Sequence, residues 1–118
     1  MNEFTEIGRD TMIAHGTKIG HGAKIGPRCH LANNVTIAGN AQIGEQCFLG
    51  AGSVVSSHVR LARDVIVGAG AVVVQDVNDE SVVIAGVPAK VIKRAEEKHR
   101  GVPRRIETKF HSDKRKVV

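Results

Sequence analysis

The sequence predicts an all-β fold in which short strands stack around one continuous core. An aliphatic residue recurs at every sixth position, twelve times without a slip. The residue after it is small in eleven of the twelve units, and the residue two before it is compact. Neither the helical nor the heptad period fits a strict six. The aliphatic positions are Ile7, Ile13, Ile19, Ile25, Leu31, Ile37, Ile43, Leu49, Val55, Leu61, Val67 and Val73.

Each unit is interpreted as a short strand followed by a tight corner. Side chains alternate across a strand, so the aliphatic residue and the compact residue two before it both point inward. The small residue after the aliphatic lets the backbone turn without a clash. One unit cannot bury its own apolar side, and the units must therefore stack.

The pattern resembles the left-handed parallel β-helix of the hexapeptide-repeat acyltransferase family. In that family three units form one triangular coil, which implies four coils over residues 7–78 and stacking of positions 18 apart. Cys29 and Cys47, 18 apart, are then neighbours. Side chains in register on parallel strands suit a disulfide torsion poorly, so two buried thiols are expected.

Three outward-facing columns follow from the same register. Met12, His30, Phe48 and Ile66 form an apolar column that a soluble monomer would not normally expose. The upper half of another column, Val54 and Val72, extends it. Members of the resembled family are parallel trimers, and a homotrimer built on these two faces is expected. The first column, Glu6, Lys24, Gln42 and Arg60, is predicted to be a solvent face.

The six-residue period ends before a segment that resembles the closing segment of hexapeptide acyltransferases, Gly86 to Lys90. A cap is required because the last coil presents a sheet edge. We therefore expect a β-helix with its closing segment over residues 1–92, and a basic C-terminal helix or tail over 93–118, with a short helix near Ala95–His99. The tail holds the excess behind the net charge of +5.

The stretch from His21 to Asn40 resembles bacterial acetyltransferases that modify sialic acid or amino sugars. Their pattern of a histidine, a second histidine nine residues on and a glycine turn nine further matches His21, His30 and Gly39. The resemblance implies acetyl-CoA as acyl donor and a small acceptor. His21 becomes the general base, and the Gly39 N–H faces the thioester oxygen.

The remaining cofactor contacts follow from the same resemblance. His30, Ala51 and Ala69 would line the acetyl-CoA cleft. Lys90, with Lys93 and Arg94, would meet the phosphates at the far end of the coenzyme. No metal is expected.

Two departures from the resembled enzymes leave other functions open. The residue after their histidine is usually acidic, whereas here it is Gly22, so a carboxylate would have to come from Glu3 or a neighbouring subunit. Their amino-terminal nucleotide-binding half is also absent from this sequence. A non-catalytic binding β-helix is therefore an alternative.

A zinc enzyme of the gamma-carbonic-anhydrase type is a further alternative, with His15, His21 and His30 as candidate ligands. Two ligands of that family lie five residues apart, and no histidine pair here does. No signal peptide or membrane-length apolar run is evident, which predicts a soluble cytoplasmic protein without membrane contact. Binding to nucleic acid is not expected to be the function of the basic tail.

Overall fold

Twelve two-residue strands follow one another at the predicted positions. A computed structural model of the chain describes residues 4–95. The second residue of every strand is the predicted aliphatic. The strands are β1 (Glu6–Ile7), β2 (Met12–Ile13), β3 (Lys18–Ile19), β4 (Lys24–Ile25), β5 (His30–Leu31), β6 (Thr36–Ile37), β7 (Gln42–Ile43), β8 (Phe48–Leu49), β9 (Val54–Val55), β10 (Arg60–Leu61), β11 (Ile66–Val67) and β12 (Val72–Val73).

The strands form three parallel sheets, one on each side of a triangular solenoid. The sheet orders are β1-β4-β7-β10, β2-β5-β8-β11 and β3-β6-β9-β12, with partners 18 residues apart throughout. The predicted fold class, an all-β left-handed parallel β-helix of about four coils, is confirmed. The predicted outward columns are confirmed as well, and we name them the first face (Glu6 to Arg60), the second face (Met12 to Ile66) and the third face (Lys18 to Val72).

Each coil turns through three corners, and the second residue of every corner has a positive φ. In the turn from Gly20 to Ala23, for example, the Ala23 N–H donates to the Gly20 carbonyl at 3.2 Å, and Gly22 has φ +77°. A positive φ is the left-handed conformation that Gly, Asn and Asp tolerate best. The sequence places Gly, Asn or Asp at eight of the corners from Asp10 to Gly70, which is why it turns there.

The core is a stack of aliphatic and small side chains, and these side chains are more completely buried beyond the first coil. Leu31, Leu49 and Val67 are fully buried, and such burial stabilises the fold by ~1.5–3 kcal/mol per side chain. In the first coil Ile13 is still 39% exposed and Ile7 is only partly buried. The compact inward residues of that coil are all threonines, whose hydroxyls donate to the carbonyls of Gly20, Gly26 and Ala32 at 2.8–3.2 Å.

Two buried thiols continue the threonine pattern in the next coils. Cys29 and Cys47 are free, as predicted, and their Sγ atoms donate to the carbonyls of Gly44 and Ala62. The thiols also interact with each other: the hydrogen bond from Cys47 lowers the pKa of Cys29, while that contact and burial raise the pKa of Cys47. Both act as small core side chains.

The last coil is closed on all three sides. Val77 pairs with Leu61 on the first sheet. Strand β13 (Val82–Ala85) adds to β11, and β14 (Lys90–Arg94) pairs antiparallel with β13. On the third sheet the Val72 N–H donates to the Gly86 carbonyl, and the Ala89 N–H to the Val72 carbonyl. The segment from Gly86 to Lys90 therefore forms the turn of the closing hairpin and the first residue of β14.

The hairpin crosses the expected domain boundary at residue 92, because β14 runs to Arg94. Ala95 is not helical, and the rest of the expected short helix lies outside the described residues. Between residues 4 and 95 no helix is long and apolar enough to cross a membrane.

Replacing Ser53 by alanine is expected to raise the free energy of unfolding by about 1 kcal/mol. The Ser53 hydroxyl is fully buried and has no hydrogen-bond partner among residues 4–95, and removing such a group is favourable. Thr17→Val is the matched control on the same column. The Thr17 hydroxyl donates to the Ala32 carbonyl at 3.0 Å, so its loss should lower stability. Urea unfolding at fixed protein concentration measures both, and equal losses would contradict this assignment.

Candidate functional site

His21 and Gly39 lie on the same corner, which joins the third face to the first. We name this the third corner; its successive turns include those in which His21, Gly39 and Ser57 precede the residue with positive φ. His21 is exposed at its surface. The backbone is fixed around it, because the Asn40 N–H donates to the His21 carbonyl at 2.9 Å and the His58 N–H to the Gly39 carbonyl at 3.1 Å. A side chain that can act as a base and a backbone amide therefore sit on adjacent coils.

The Gly39 amide is not part of the hydrogen-bonded backbone ladder that joins the described coils. Among residues 4–95 it donates no hydrogen bond. Its position depends on Gly20, since a Cβ there would lie only 2.7 Å from the Gly39 nitrogen. An amide of this kind can stabilise negative charge that develops on a carbonyl oxygen.

The nearest ring to His21 is that of Phe4. The ring centroids are 5.3 Å apart and the planes meet at 77°. Position 4 stands 18 residues before Gly22, so Phe4 occupies the preceding turn of the third corner. The sequence interpretation began its register at Ile7 and missed Phe4, although stepping back 18 from Gly22 finds it. Glu3, the expected source of a carboxylate, lies outside the described residues.

Ala51 and Ala69 lie on a different corner, between the second and third faces. We name it the second corner; His15 and Asn33 precede them there. Gly52 and Gly70 follow them, and no atom of the described residues, apart from each glycine and its two chain neighbours, lies within 4 Å of where their Cβ atoms would be. The N–H groups of Ala51 and Ala69 donate no hydrogen bond within the described part of the chain. The result is an open strip of backbone, two coils long.

The other two predicted cofactor contacts lie beside that strip. His30 is half-buried on the second face, with its ring 5.1 Å from that of Phe48. Lys90 is exposed in β14 and pairs with Ala85, which stacks against Gly68 next to Ala69. Lys90 also lines a depression of about 370 Å³ formed with Gln75 to Asp79.

The predicted site residues therefore form two groups within one chain. His21 and Gly39 share the third corner, whereas Ala51, Ala69 and Lys90 extend the second corner, and the third face separates them. His30 lies on the far side of the second corner. A site that uses both groups needs a second copy of the chain.

The candidate zinc ligands are spread in the same way. His15 lies on the second corner, His21 on the third corner and His30 on the second face. Among residues 4–95 of one chain, no three His, Cys, Asp or Glu side chains are grouped as a metal ion would need.

The six-residue repeat matches the model of a known protein family. The profile of the bacterial transferase hexapeptide family (six repeats) matches residues 4–39 and 40–75, more than half of the sequence. The chain belongs to that family. The predicted resemblance to hexapeptide-repeat acyltransferases is thereby confirmed. A search of curated proteins gives no match.

Solved structures include acyltransferases of this fold. A perosamine N-acetyltransferase from Caulobacter crescentus, a variant with one histidine replaced by asparagine and bound to CoA and GDP-perosamine, is 39% identical with a TM-score of 0.76. The match covers 78% of this chain and 43% of that one. A UDP-N-acetylglucosamine O-acyltransferase from Moraxella catarrhalis is 33% identical with a TM-score of 0.75, over 80% of this chain and 37% of that one.

A more distant structure shares the fold alone. Serine acetyltransferase from Brucella abortus is 24% identical with a TM-score of 0.73, and the match covers 79% of this chain and 41% of that one. The match to this chain covers less than half the length of each of these three proteins.

Gly20→Ala is expected to lower the free energy of unfolding by ~1–3 kcal/mol and to shift the NMR signal of the Gly39 amide. The added Cβ would overpack the corner, because it meets backbone rather than a flexible side chain. Ala38→Gly, at the same position one coil later, is the control and should cost at most ~1 kcal/mol. An unchanged Gly39 signal in Gly20→Ala would contradict the packing described here.

Proposed function

We propose that the chain transfers an acyl group, most simply acetyl, from coenzyme A to the amine or hydroxyl of a small acceptor. The observation that carries the proposal is the pairing of His21 with the Gly39 amide on adjacent coils of one corner. Direct transfer needs a base that removes the acceptor proton and a donor for the oxyanion on the thioester carbon. His21 and the Gly39 N–H supply one group each.

His21 suits the role of base because histidine titrates near neutral pH. Its side chain is exposed at the corner, and its backbone carbonyl is held by the Asn40 N–H. In the proposed step the nitrogen or oxygen of the acceptor attacks the thioester carbon while His21 takes its proton. The carbonyl electrons move onto the oxygen, which the Gly39 N–H stabilises. Collapse of this intermediate expels the thiolate of coenzyme A.

The coenzyme is proposed to run along the second corner. Ala51, Gly52, Ala69 and Gly70 leave the backbone open there, and the N–H groups of Ala51 and Ala69 are free to meet the amides of the pantetheine arm. Lys90 stands two strands beyond Gly68, in the direction of the closing hairpin. Its charge is available to the phosphates, and His30 would border the cleft from the second face.

A homotrimer is part of the proposal, because one chain places the base and the coenzyme strip on different corners. The second face offers the surface for assembly. Met12 is 62% exposed, and Phe48 and Ile66 are half-buried without a partner chain. A neighbour that brings its second corner to the third corner of this chain would complete the cleft.

The acceptor is proposed to be an amino sugar or a similarly small amine or alcohol. The support is the similarity to a perosamine N-acetyltransferase bound to GDP-perosamine, at 39% identity. The non-catalytic β-helix is less well supported, since it gives no role to the His21–Gly39 pair.

Replacing His21 by alanine is expected to lower turnover by about 100-fold or more, the usual contribution of a general base. The dissociation constant for acetyl-CoA should stay within a factor of two, because His21 is not on the coenzyme strip. Calorimetric titration measures binding, and release of the coenzyme A thiol with a panel of amino sugars measures transfer. His15→Ala, at the other His-Gly corner, is the matched control and should retain turnover.

Two results would contradict this assignment. The first is the lack of acetyl-CoA binding by the wild-type protein at millimolar concentration. The second is a His21→Ala protein that loses affinity for acetyl-CoA but keeps its turnover.

Phe48→Glu is expected to convert the trimer to monomers. The change puts a charge at the centre of the apolar second face, where burial without a partner is costly. Gln42→Glu adds the same charge to the exposed first face and should leave the trimer intact. Sedimentation equilibrium gives the mass of each, and a Phe48→Glu protein that stays trimeric would exclude the second face as the interface.

A further inference from the structure

A histidine base works best when its second ring nitrogen is held by a hydrogen-bond acceptor, which fixes the tautomer and the ring orientation. Within residues 4–95 no carboxylate forms an ion pair or hydrogen bond with His21. Within the described part of this chain, the polar side chains of the third corner are the remaining candidates for the acceptor.

Asn40 is the polar side chain that the fold places there. It stands on the next coil, and its N–H donates to the His21 carbonyl at 2.9 Å. Its side chain reaches back over Gly22, since a Cβ built on Gly22 would lie 2.3 Å from Asn40 Oδ1 and 3.3 Å from its Cγ. In an aspartate, bond lengths put a carboxylate oxygen about 2.4 Å from the Cβ. The distance from Asn40 Oδ1 to the Cβ position at residue 22 is therefore about the same as the distance from Cβ to a carboxylate oxygen in an aspartate.

The absence of a side chain at Gly22 makes this placement possible. A side chain there would take the space that Asn40 Oδ1 occupies. On the side of the preceding coil, the ring of Phe4 packs against the His21 imidazole at 5.3 Å. The His21–Gly22 turn therefore lies between a ring from the coil before, which contacts His21, and a carboxamide from the coil after, which lies over Gly22.

We propose that Asn40 is a positioning residue that accepts a hydrogen bond from the ring N–H of His21 and so orients the base. This inference rests on the proposed function for its catalytic meaning. The contact forms by rotation of the exposed Asn40 side chain, and catalytic hydrogen bonds are commonly loose before substrate binds. A neutral carboxamide fixes the ring without adding the negative charge of a carboxylate.

The other ionisable groups on the elements beside His21 at the third corner are one carboxylate and three basic groups. They are Glu6 in β1, Lys18 in β3, Lys24 in β4 and His58 on the following turn. None is changed in the variants below, so a change in the His21 signals can be assigned to position 40.

The chain contains a matched control for this contact. Asn34 reaches over Gly16 in the same way, with its Oδ1 2.1 Å from the Cβ position there, and its N–H donates to the His15 carbonyl at 2.9 Å. The φ angles of Asn34 and Asn40 are +60° and +62°. Substitution of Asn34 therefore reproduces the structural cost of substituting Asn40, at a corner that lacks His21.

The first test follows the His21 imidazole nitrogens by ¹⁵N NMR in the protein without coenzyme. Glycine also adopts a positive φ, so Asn40→Gly should keep the backbone conformation. Without the acceptor, His21 is expected to populate both neutral tautomers, whereas the wild type should populate mainly one. Asn40→Asp adds a negative charge that favours the imidazolium, so the ¹⁵N signals of His21 at a fixed pH near neutrality should move toward those of the protonated ring. The Asn34→Gly and Asn34→Asp proteins should leave the His21 signals unchanged.

The second test measures acetyl transfer by the same proteins. Asn40→Gly is expected to lower kcat about tenfold, less than loss of the base itself, with KM for acetyl-CoA unchanged. Asn40→Asp should recover most of kcat, and the acid limb of its kcat/KM profile should move to higher pH, because the base must be neutral to act.

The outcomes separate this inference from the proposed function. His21 signals that are identical in the wild type, Asn40→Gly and Asn40→Asp would overturn the role of Asn40, even if transfer were intact. If the signals respond as expected but the wild type neither binds acetyl-CoA nor transfers, the Asn40–His21 contact is supported and the proposed function fails.

Discussion

The hydrogen-bonded ladder between coils, in register at 18 residues, is the constraint on which the rest of the structure depends. It aligns every aliphatic side chain above another, and it aligns every corner in the same way. Because backbone positions on one corner are separated only by the strand spacing, about 4.8 Å, residues 18 apart are forced into contact. The fold and the candidate site are two results of this single periodicity.

Most of the fold could be predicted because three positions of each unit are restricted in residue type. They are the aliphatic residue, the small residue after it and the compact residue two before it. The strands from β1 to β12 fall where the aliphatic period puts them, and the pairing of His21 with Gly39 follows from the same count. The prediction is less complete where the period stops. The antiparallel pairing of β13 with β14 has no counterpart in the repeat, so a cap was expected but its hairpin was not described.

The parts of the site that sequence reasoning missed belong to the second residue of each corner. Phe4 and Asn40 both have positive φ, which directs their side chains along the corner and over the neighbouring coil. Whether such a side chain has room depends on the residue 18 positions away. In the sequence, Gly22 stands out because it replaces an acidic residue. In the fold, its lack of a side chain leaves the space that Asn40 Oδ1 occupies.

The threonines of the first coil have a consequence for where the chain opens. Coils in a solenoid touch only their neighbours, so the loss of one terminal coil leaves the others standing. The first coil is held by hydroxyl-to-carbonyl bonds and includes partly exposed isoleucines, whereas the core of the later coils consists mostly of buried aliphatic side chains. His21 closes this first coil, and Gly39 closes the second. Opening of the first coil would therefore change the distance between the His21 side chain and the Gly39 amide, while the coils beyond it would keep their structure.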